Sequence, residues 1–413
     1  MKKFILKSLV MLLWICMVLI IGTGIIEKKE SPNIKSTREI EIKIDKGNVK
    51  VPEPSKPATA NYKFSVFYIA VKTILYFIIP FSFLYFKVPQ LIIKKENSIF
   101  QMIKIFLIYS FYEFVMYLPL YFFSGFYRNK LFESSSNTIN NWLSKNLIYF
   151  TFSLAVSVVI FMIIYTVYKK SKLYILLISI MMLCLNLTES YIGPVVIDPM
   201  FNNFSKIEDK NLTVKINMLC QKAGVGNVNV LKVDKSKDTN FLNAYMTGIG
   251  KNKRIVIYDN TLKQLSTDEI LSVAAHEIGH YKMNHVVIGM ALSTLELFTT
   301  LFAVDLIIKH INVKKKLNKD YKSDKLIPLF FIAMVCIQFL WMPIDNACSR
   351  YMERKADEFA ISVTGNKTCA AVLQCKLMEK NMGTADVNGF IKLWYADHPT
   401  SRERIEAANR YGK

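Results

Sequence analysis

Acidic residues, histidine and glycine are scarce in this chain of 413 residues. It holds 32 Asp and Glu against 53 Lys and Arg, a net charge of +21, with five histidines and 15 glycines. A hydrophobic content of 52% excludes intrinsic disorder, and the low glycine content excludes a collagen-like fibre. The basic surplus is typical of proteins that meet nucleic acid or a membrane, and the mean hydropathy of +0.26 favours the membrane. We therefore expect no nucleic-acid partner.

Cysteines are also few, and their number is odd. No C-x-x-C pair occurs among Cys16, Cys184, Cys220, Cys336, Cys348, Cys369 and Cys375. They define neither a disulfide framework nor a thiolate metal site. Cys16 follows the bulky run Leu13-Trp14-Ile15, which does not suit a lipoprotein cleavage site, so we predict no lipidation.

Long apolar runs are plentiful instead. Seven approach the roughly 20 residues that span a bilayer: 4–26, 64–86, 99–123, 147–168, 173–197, 286–308 and 326–344. They predict an α-helical multipass protein that resides in the cell membrane with the bilayer as its partner. The first run begins after Lys2 and Lys3 like a signal peptide, but it is longer than a typical signal core, so we interpret it as an uncleaved anchor.

Charged residues interrupt several of these runs. They are Lys72, Lys104, Glu113, Glu296 and Asp305. Singly, each is explained by a side chain that reaches the interface or by a misplaced boundary. Together they indicate a hydrated chamber inside the membrane, because such charges normally face protein or water.

The chain divides into four parts by polarity. Residues 1–197 hold five predicted helices and a hydrophilic loop at 27–62, and residues 286–344 hold two more. The polar stretches 198–285 and 345–413 are expected to be the two parts of one catalytic domain.

The first polar stretch contains three short β patterns and one helical pattern. The β patterns, 228–233, 243–247 and 254–258, predict a small antiparallel sheet, with a turn at 248–253. Ser266 and Glu269 then form a capping box at the start of a helix that runs to about His285.

This helix carries the sequence H-E-x-x-H. His276 and His280 stand one above the other on one face and offer two nitrogens to a single metal, while Glu277 flanks that face. Zn²⁺ suits imidazole and carboxylate ligands and retains a position for water, from which Glu277 takes a proton. A chance occurrence is improbable with five histidines in the chain.

The third ligand must come from elsewhere. His285 is near, but H-E-x-x-H-x-x-G-x-x-H requires Gly at 283 and His at 286, where this chain has Met283 and Val286, so we interpret His285 as a polar residue at the membrane boundary. Glu353 and Asp357 share a face of a helix predicted to start near Asp345. One carboxylate binding metal and the other orienting a ligand histidine fits this spacing. A solvated face paired with nearby arginines fits it equally.

The sequence resembles the integral-membrane zinc CAAX prenyl endopeptidases, the a-factor-converting or type I CAAX proteases among the gluzincins. The resemblance covers roughly 173–408 and rests on motifs in the family's order. They are Ile197-Asp198-Pro199-Met200-Phe201-Asn202-Asn203-Phe204, Asn243-Ala244-Tyr245, the block 248–256, His276 to His280, Glu353-x-x-x-Asp357, His398-Pro399 and Arg404. Met200 and Ser205-Lys206-Ile207 depart from the family pattern, and neither departure concerns the metal ligands.

The resemblance implies roles for these residues. It implies one Zn²⁺ per chain, with Glu353 as the third ligand after His276 and His280, and Asp357 holding a ligand histidine. Asn243 and Ala244 would lie on an edge strand that an extended substrate joins. His398 would stabilise the oxyanion, and Arg404 would support His398 or bind the substrate carboxylate, although a charged helix face explains Arg404 as well.

The resemblance also implies a helical barrel around a large intramembrane chamber and a peptide or protein substrate that is isoprenylated. We expect a membrane zinc metalloendopeptidase acting on C-terminal CAAX-type or membrane-associated peptides. One alternative is a quality-control gluzincin that needs no prenyl group. Another is a transporter or receptor-like protein with a structural metal site.

Lysine-rich loops bear on the orientation. The loops 87–98, 169–172 and 309–325 hold three, three and seven lysines and fall on one side of a seven-span chain together with Lys2 and Lys3. The positive-inside rule makes that side cytoplasmic. The zinc segment would then face away from the cytosol, opposite to what CAAX processing implies.

Overall fold

Seven helices among the described residues are long and apolar enough to cross a membrane, which confirms the predicted number of spans. The structure is a computed structural model that describes residues 2–89, 99–248, 253–314 and 323–412. Most of the predicted turn at 248–253 and parts of the lysine-rich loops 87–98 and 309–325 lie outside those residues. The candidate spans are Lys2–Ile34, Lys56–Tyr85, Ile99–Leu131, Ile139–Lys170, Tyr174–Ile192, His285–Ile307 and Phe331–Thr364.

Helices dominate the chain, and two of the spans end in wider π-helical turns. The helices are α1 (Lys2–Ile34), α2 (Lys56–Tyr85), α3 (Ile99–Tyr121), α4 (Ile139–Lys170), α5 (Tyr174–Ile192), α6 (Lys210–Lys222), α7 (Asp259–Gln264), α8 (Thr267–Lys282), α9 (His285–Lys314), α10 (Ser323–Thr364), α11 (Lys367–Lys380), α12 (Gly389–Trp394) and α13 (Ser401–Arg410). The π-helical turns, Phe122–Tyr127 and Gly193–Ile197, follow α3 and α5, and short turns of helix come next at Arg128–Leu131 and Asp198–Phe201. Lys235–Lys237 forms a 3₁₀ turn.

The first three membrane helices share an aromatic core. Leu19 of α1 and Phe64 and Phe83 of α2 are fully buried there together with residues of α3. Thr23 and Tyr68 hydrogen bond at 3.0 Å within this core, which satisfies two hydroxyls away from water. These contacts fix α1 against α2 along the buried stripe of each helix.

The described strands form a two-stranded hairpin and a small mixed sheet of four strands. They are β1 (Ile44–Asp45), β2 (Asn48–Val49), β3 (Phe204–Lys206), β4 (Asn229–Val233), β5 (Ala244–Thr247) and β6 (Arg254–Tyr258). The main sheet has the order β3-β4-β6-β5. The pairing of β5 with β6 is antiparallel as predicted, and β3, which was not predicted, pairs antiparallel with β4, but β4 and β6 pair in parallel. The reason is topological: after β4 the chain crosses to the edge, forms β5, and returns as β6 between the two.

The sheet packs against the helix that carries the histidine motif. Ile255 and Ile257 of β6, Ile216 of α6 and Ile278 of α8 have no exposed surface and belong to one core cluster. Burial of such side chains contributes roughly 1.5–3 kcal/mol each. This core holds α8 rigidly beside the edge strand β5.

The hydrophilic segment 27–62 is shorter as a loop than predicted, because α1 extends to Ile34 and α2 begins at Lys56. The hairpin β1–β2 within it docks on the C-terminal part of the chain. The backbone N–H of Val49 donates to Asn409 Oδ1 at 2.9 Å, and Asn409 Nδ2 donates back to the Val49 carbonyl at 2.8 Å. These two hydrogen bonds therefore hold the hairpin of this segment against α13.

One helix runs from the last membrane span into the polar stretch 345–413. The helix predicted to start near Asp345 after Pro343 is instead the continuation of α10, which runs unbroken for 42 residues. Proline is tolerated in membrane helices because neighbouring groups re-satisfy the freed carbonyl. As a result, Glu353 and Asp357 lie on the same continuous helix as the last membrane span.

The charges predicted inside the spans fall into two groups. Glu113 and Asp305 are half-buried and accept hydrogen bonds from Tyr109 at 3.5 Å and Tyr174 at 2.7 Å, and Glu296 is half-buried beside Asp345. By contrast, Lys72 and Lys104 are exposed. The acidic side chains thus face protein, as predicted, and the chamber itself stays a prediction.

Candidate metalloprotease site

Helix α8 begins at the predicted capping box and presents both histidines. Ser266 and Glu269 hydrogen bond each other's backbone N–H at 3.4 and 2.8 Å, which satisfies two free donors of the first turn. With the start fixed, His276 and His280 lie one turn apart, and their Nε2 atoms are 3.0 Å from each other. The two lone pairs point at one location.

Glu353 reaches the same location from α10. Its Oε2 lies 3.3 Å from Nε2 of His276, and its Oε1 lies 3.2 Å from Nε2 of His280. The three ligand atoms lie within 4.8 Å of one another. Two donors bound to one zinc at about 2.0–2.1 Å with tetrahedral angles are roughly 3.3 Å apart, so these separations fit that ion.

A further observation supports a cation at this location. Oε2 of Glu353 is buried and has no hydrogen-bond donor among the described residues. A buried carboxylate oxygen without a donor is costly. Burial alone lowers the pKa of His276. The adjoining carboxylates of Asp357 and Glu353 have a larger effect in the opposite direction, and the pKa of His276 is raised to about 10. The surroundings therefore strongly favour positive charge at the point where the three side chains meet.

Gly279 allows α8 and α10 to approach this closely. A Cβ at this position would lie 3.3 Å from the Cα of Ala356 and 3.0 Å from Cδ1 of Phe359. The first of these is backbone and does not yield without a shift of the helix. The glycine inside the histidine motif thus helps to set the distance between Glu353 and the imidazoles.

Asp357 and Arg404 support the ring of His276. Oδ1 of Asp357 lies 2.9 Å from Nδ1 of His276, which leaves Nε2 free to bind metal. Arg404 on α13 donates to the same carboxylate through Nε at 2.8 Å and Nη2 at 2.6 Å. Asp357 thus lies next to a ligand histidine, and its role in holding that ring stays a prediction. The arginine contacts Asp357, and its substrate-binding role stays a prediction.

His285 supports the ring of His280. It is 7% exposed, and its Nδ1 lies 2.9 Å from Nδ1 of His280. His285 is also the first residue of the sixth candidate span, so it lies at the membrane boundary as interpreted, and its contact with His280 is an addition that the sequence did not reveal. The turn at Asn284, which has a φ of 56°, directs the first residue of α9 back toward α8.

Glu277 lies beside the two histidines at the edge of the sheet. Burial raises the pKa of its carboxyl, while the nearby imidazoles of His276 and His280 act in the opposite direction. The backbone N–H of Met246 on β5 also hydrogen bonds to it. A carboxylate with a raised pKa next to a metal site has the properties of a general base.

His398 approaches the site from the segment before α13. Its Nε2 lies 3.5 Å from Oε1 of Glu353, and its Nδ1 lies 2.8 Å from Oδ1 of Asp397. The hydrogen bond to Asp397 raises the pKa of His398. A capping box of Thr400 and Glu403 begins α13 just after it. His398 is consequently oriented as a donor toward the site.

Asn243 and Ala244 lie at the edge of the sheet as predicted. Strand β5 has β6 on one side and no strand on the other within the described sheet. Oδ1 of Asn243 accepts from the N–H of Ala244 at 2.9 Å, while Thr261 holds the backbone of Asn243 at 2.9 and 2.8 Å. Both residues line a cavity of roughly 390 Å³ together with His276, Glu277 and His398. This cavity therefore adjoins the metal location.

Sequence reasoning missed two residues of the site, Asp397 and Met246. Asp397 directly precedes His398, and an acidic neighbour of a candidate histidine is a usable signal. Met246 contributes only its backbone N–H, which no sequence pattern reveals.

Two protein-family models match most of this chain. The model described as CAAX prenyl protease N-terminal, five membrane helices, matches residues 54–203, and the model described as Peptidase family M48 matches residues 206–411. This chain is a member of peptidase family M48. It is therefore a multipass membrane metalloprotease, and membership of the family implies a metal cofactor. Membership of a peptidase family disfavours the alternative that this chain is a transporter or receptor-like protein.

Named relatives of this M48 chain come from bacteria, fungi and plants. The uncharacterized metalloprotease YhfN of Bacillus subtilis is 32% identical over 283 residues, which cover 68% of this chain and 66% of that protein. CAAX prenyl protease 1 of Saccharomyces cerevisiae is 28% identical, with 70% and 68% covered, and the Oryza sativa homolog is 32% identical, with 55% and 53% covered. These alignments span about half to two thirds of the relatives' lengths.

The fold also matches a solved structure. The crystal structure of S. mikatae Ste24p superposes with a TM-score of 0.74, covering 96% of this chain and 98% of the other at 22% identity. The two chains therefore share a fold.

Proposed function

We propose that this M48 member is a zinc endopeptidase that cleaves peptides presented at the membrane, with C-terminal prenylated CAAX-type peptides as its substrate class. The observation that carries the proposal is the convergence of His276, His280 and Glu353 within 4.8 Å, with Glu277 beside them. The substrate class is supported by the relatives named CAAX prenyl protease 1.

The three side chains would hold one Zn²⁺, which when bound polarises a carbonyl and lowers the pKa of water to about 7. Asp357 and Arg404 keep His276 in the tautomer whose Nε2 is free. Glu353, buried at the junction of α8 and α10, supplies the negative charge that a divalent ion needs.

The reaction assigns a separate task to each remaining group. Glu277 takes the proton of the attacking water and then delivers it to the leaving amine, since its raised pKa suits both steps. His398 donates from Nε2 to the oxygen that becomes negative in the tetrahedral intermediate. Asp397 accepts from Nδ1 and raises the pKa of His398, which favours the imidazolium form in which Nε2 also carries a proton.

The edge strand β5 would set the direction in which an extended substrate chain lies across the site. An extended peptide adding to β5 would form backbone hydrogen bonds beside Asn243 and Ala244, and it would pass Glu277, which already bonds to Met246 of the same strand. Backbone hydrogen bonds of this kind discriminate little between substrate sequences. The membrane spans and a lipid group on the substrate would therefore supply selectivity.

The orientation and one relative favour a second candidate, a quality-control protease without a need for prenylation. The positive-inside rule, applied to the lysine-rich loops, favours a site that faces away from the cytosol, and YhfN is described only as a metalloprotease. Reporter fusions at His285 and Lys413 would establish which side the site faces.

The test compares purified wild type with Glu277→Gln on a prenylated CAAX peptide, its unprenylated form and a generic unfolded protein. We expect Glu277→Gln to retain zinc and lose activity by orders of magnitude, and the wild type to favour the prenylated peptide. A full cleavage rate in Glu277→Gln would refute the role of Glu277. Equal wild-type rates on all three substrates would leave the quality-control function in place of the prenyl-specific one.

A further inference from the structure

We infer that His285 is a positioning residue for the metal ligand His280, holding its ring in the tautomer and orientation that metal binding requires. This inference rests on the proposed function. Nothing in the motif H-E-x-x-H includes this residue, and its spacing excludes it from the three-histidine zinc pattern. The structure assigns it a place behind the ligand.

The contact is close and sheltered. Nδ1 of His285 lies 2.9 Å from Nδ1 of His280, and the two rings meet edge to face with centroids 4.9 Å apart. His285 is 7% exposed, so water does not readily replace it. A buried ring nitrogen facing another ring nitrogen is favourable only when one of them carries a proton and the other does not.

The site decides which nitrogen carries the proton. Nε2 of His280 lies 3.0 Å from Nε2 of His276 and 3.2 Å from Oε1 of Glu353, so it is the atom that binds metal and must present a lone pair. A neutral imidazole then carries its proton on Nδ1. His280 therefore donates, and His285 accepts with an unprotonated Nδ1, its own proton residing on Nε2.

The chain places His285 by a local device. Helix α8 ends at Lys282, and the N–H of Asn284 donates to the carbonyl of Tyr281 at 3.1 Å in a turn where Asn284 adopts a φ of 56°. Asparagine tolerates this left-handed conformation better than most residues. His285 then opens α9, so the first residue of a membrane helix supports a ligand on the preceding helix.

The experiment replaces His285 with three residues that differ in where an acceptor lies. In Asn, Oδ1 is bonded to Cγ and takes the position of the histidine Nδ1. In Gln, the polar atoms lie one bond farther out, near the position of Nε2. Leu has the branched shape of Asn without an acceptor. His310→Asn on the same helix α9 is the matched control, because His310 is exposed.

Zinc affinity is measured on each full-length purified protein by competition with a chelator, together with the visible spectrum of the Co²⁺-substituted form and the thermal midpoint. We expect His285→Leu and His285→Gln to bind zinc about ten- to a hundredfold more weakly, the range typical of residues that orient a metal ligand. His285→Asn should stay within a few-fold of wild type, and His310→Asn should match it.

The outcomes separate the inference from the function on which it rests. If wild type binds no stoichiometric zinc, the proposed function fails. If wild type binds zinc and His285→Leu binds it equally well, the positioning role is overturned. Should His285→Leu fail to fold, the Asn and Gln variants still decide, because equal zinc affinities in these two would remove the role of an acceptor at Nδ1.

Discussion

The two histidines of α8 are held in place by very different neighbours. Nδ1 of His276 faces the carboxylate of Asp357, which is itself ion-paired with Arg404, so charges from two distant helices converge on this ring. Nδ1 of His280 faces another imidazole, that of His285, five residues along the chain. One ligand is supported by tertiary structure and charge, the other by a local turn and a neutral ring.

This difference predicts which substitutions should weaken metal binding by each histidine. The orientation of His276 depends on the packing of α8, α10 and α13. The negative charge of Asp357 beside its ring also strengthens the imidazole as a metal ligand. The His280 side depends on one turn at the entrance to a membrane helix. Loss of the charged support should therefore cost more than loss of the neutral one.

The largest effect should come from removing the ligand that both sides share. Glu353→Ala leaves His276 and His280 without their common carboxylate, so we expect loss of bound zinc and a fall in activity of about a thousandfold or more, since the ion contributes several kcal/mol. Metal analysis and cleavage rates check this. Glu358→Ala on the same helix, where the side chain is exposed and pairs with Lys355, should behave as wild type. Stoichiometric zinc in Glu353→Ala would contradict the ligand assignment.

Next in size is the charged support. Asp357→Asn removes the negative charge beside His276 and leaves Arg404 buried without its partner, which is costly. We expect zinc affinity to fall about ten- to a hundredfold, at least as far as in His285→Leu. Asp386→Asn breaks the exposed pair with Arg402 and is the matched control, expected to change stability by less than about 1 kcal/mol. A smaller loss in Asp357→Asn than in His285→Leu would reverse the comparison.

Much of this site was predictable because its first elements are local. The capping box of Ser266 and the two histidines lie within one helix, and their spacing alone specifies a shared face. Glu353 is different: the spacing on α10 fitted a solvated charged face equally well, and the ligand role followed from resemblance. Two membrane helices, which the apolar runs did predict, separate His276 from Glu353 along the chain. No local pattern encodes that this pair of helices returns Glu353 to the histidines.

The errors have physical causes as well. The parallel pairing of β4 with β6 requires the chain to cross to the sheet edge before returning, and strand patterns do not report that order. The predicted helix start after Pro343 assumed that proline ends a helix, which holds in water more than in a membrane. The role of His285 depends on the left-handed turn at Asn284, which reverses the direction in which the next side chain points.

Arg404 sharpens the comparison because two roles predict different kinetics. Arg404→Lys keeps the charge but loses the bidentate contact with Asp357, so we expect a several-fold loss of zinc affinity, less than in Asp357→Asn. If Arg404 instead binds the substrate carboxylate, KM should rise while zinc affinity stays unchanged. Measuring both quantities on one preparation distinguishes support of His276 from contact with substrate.

The smallest effect on metal binding should come from Gly279→Ala, which touches neither support. The added methyl group meets the backbone of Ala356 at 3.3 Å and the ring of Phe359 at 3.0 Å, so α10 must shift by a few tenths of an ångström relative to α8. Overpacking of this kind costs roughly 1–3 kcal/mol of stability. Zinc affinity should fall only a few-fold, because the shift moves Glu353 away from His276 and His280 alike and leaves both rings oriented.

Gly289→Ala on α9 is its control, since a Cβ there meets no atom within 4 Å and a helical alanine is intrinsically favourable by about 1 kcal/mol. Thermal midpoints and zinc affinities of the two variants test the argument together. A zinc loss in Gly279→Ala as large as in Asp357→Asn would mean that the spacing between α8 and α10 matters more to the site than the orientation of either histidine. The difference between a charged and a neutral support would then be secondary to the approach of the two helices.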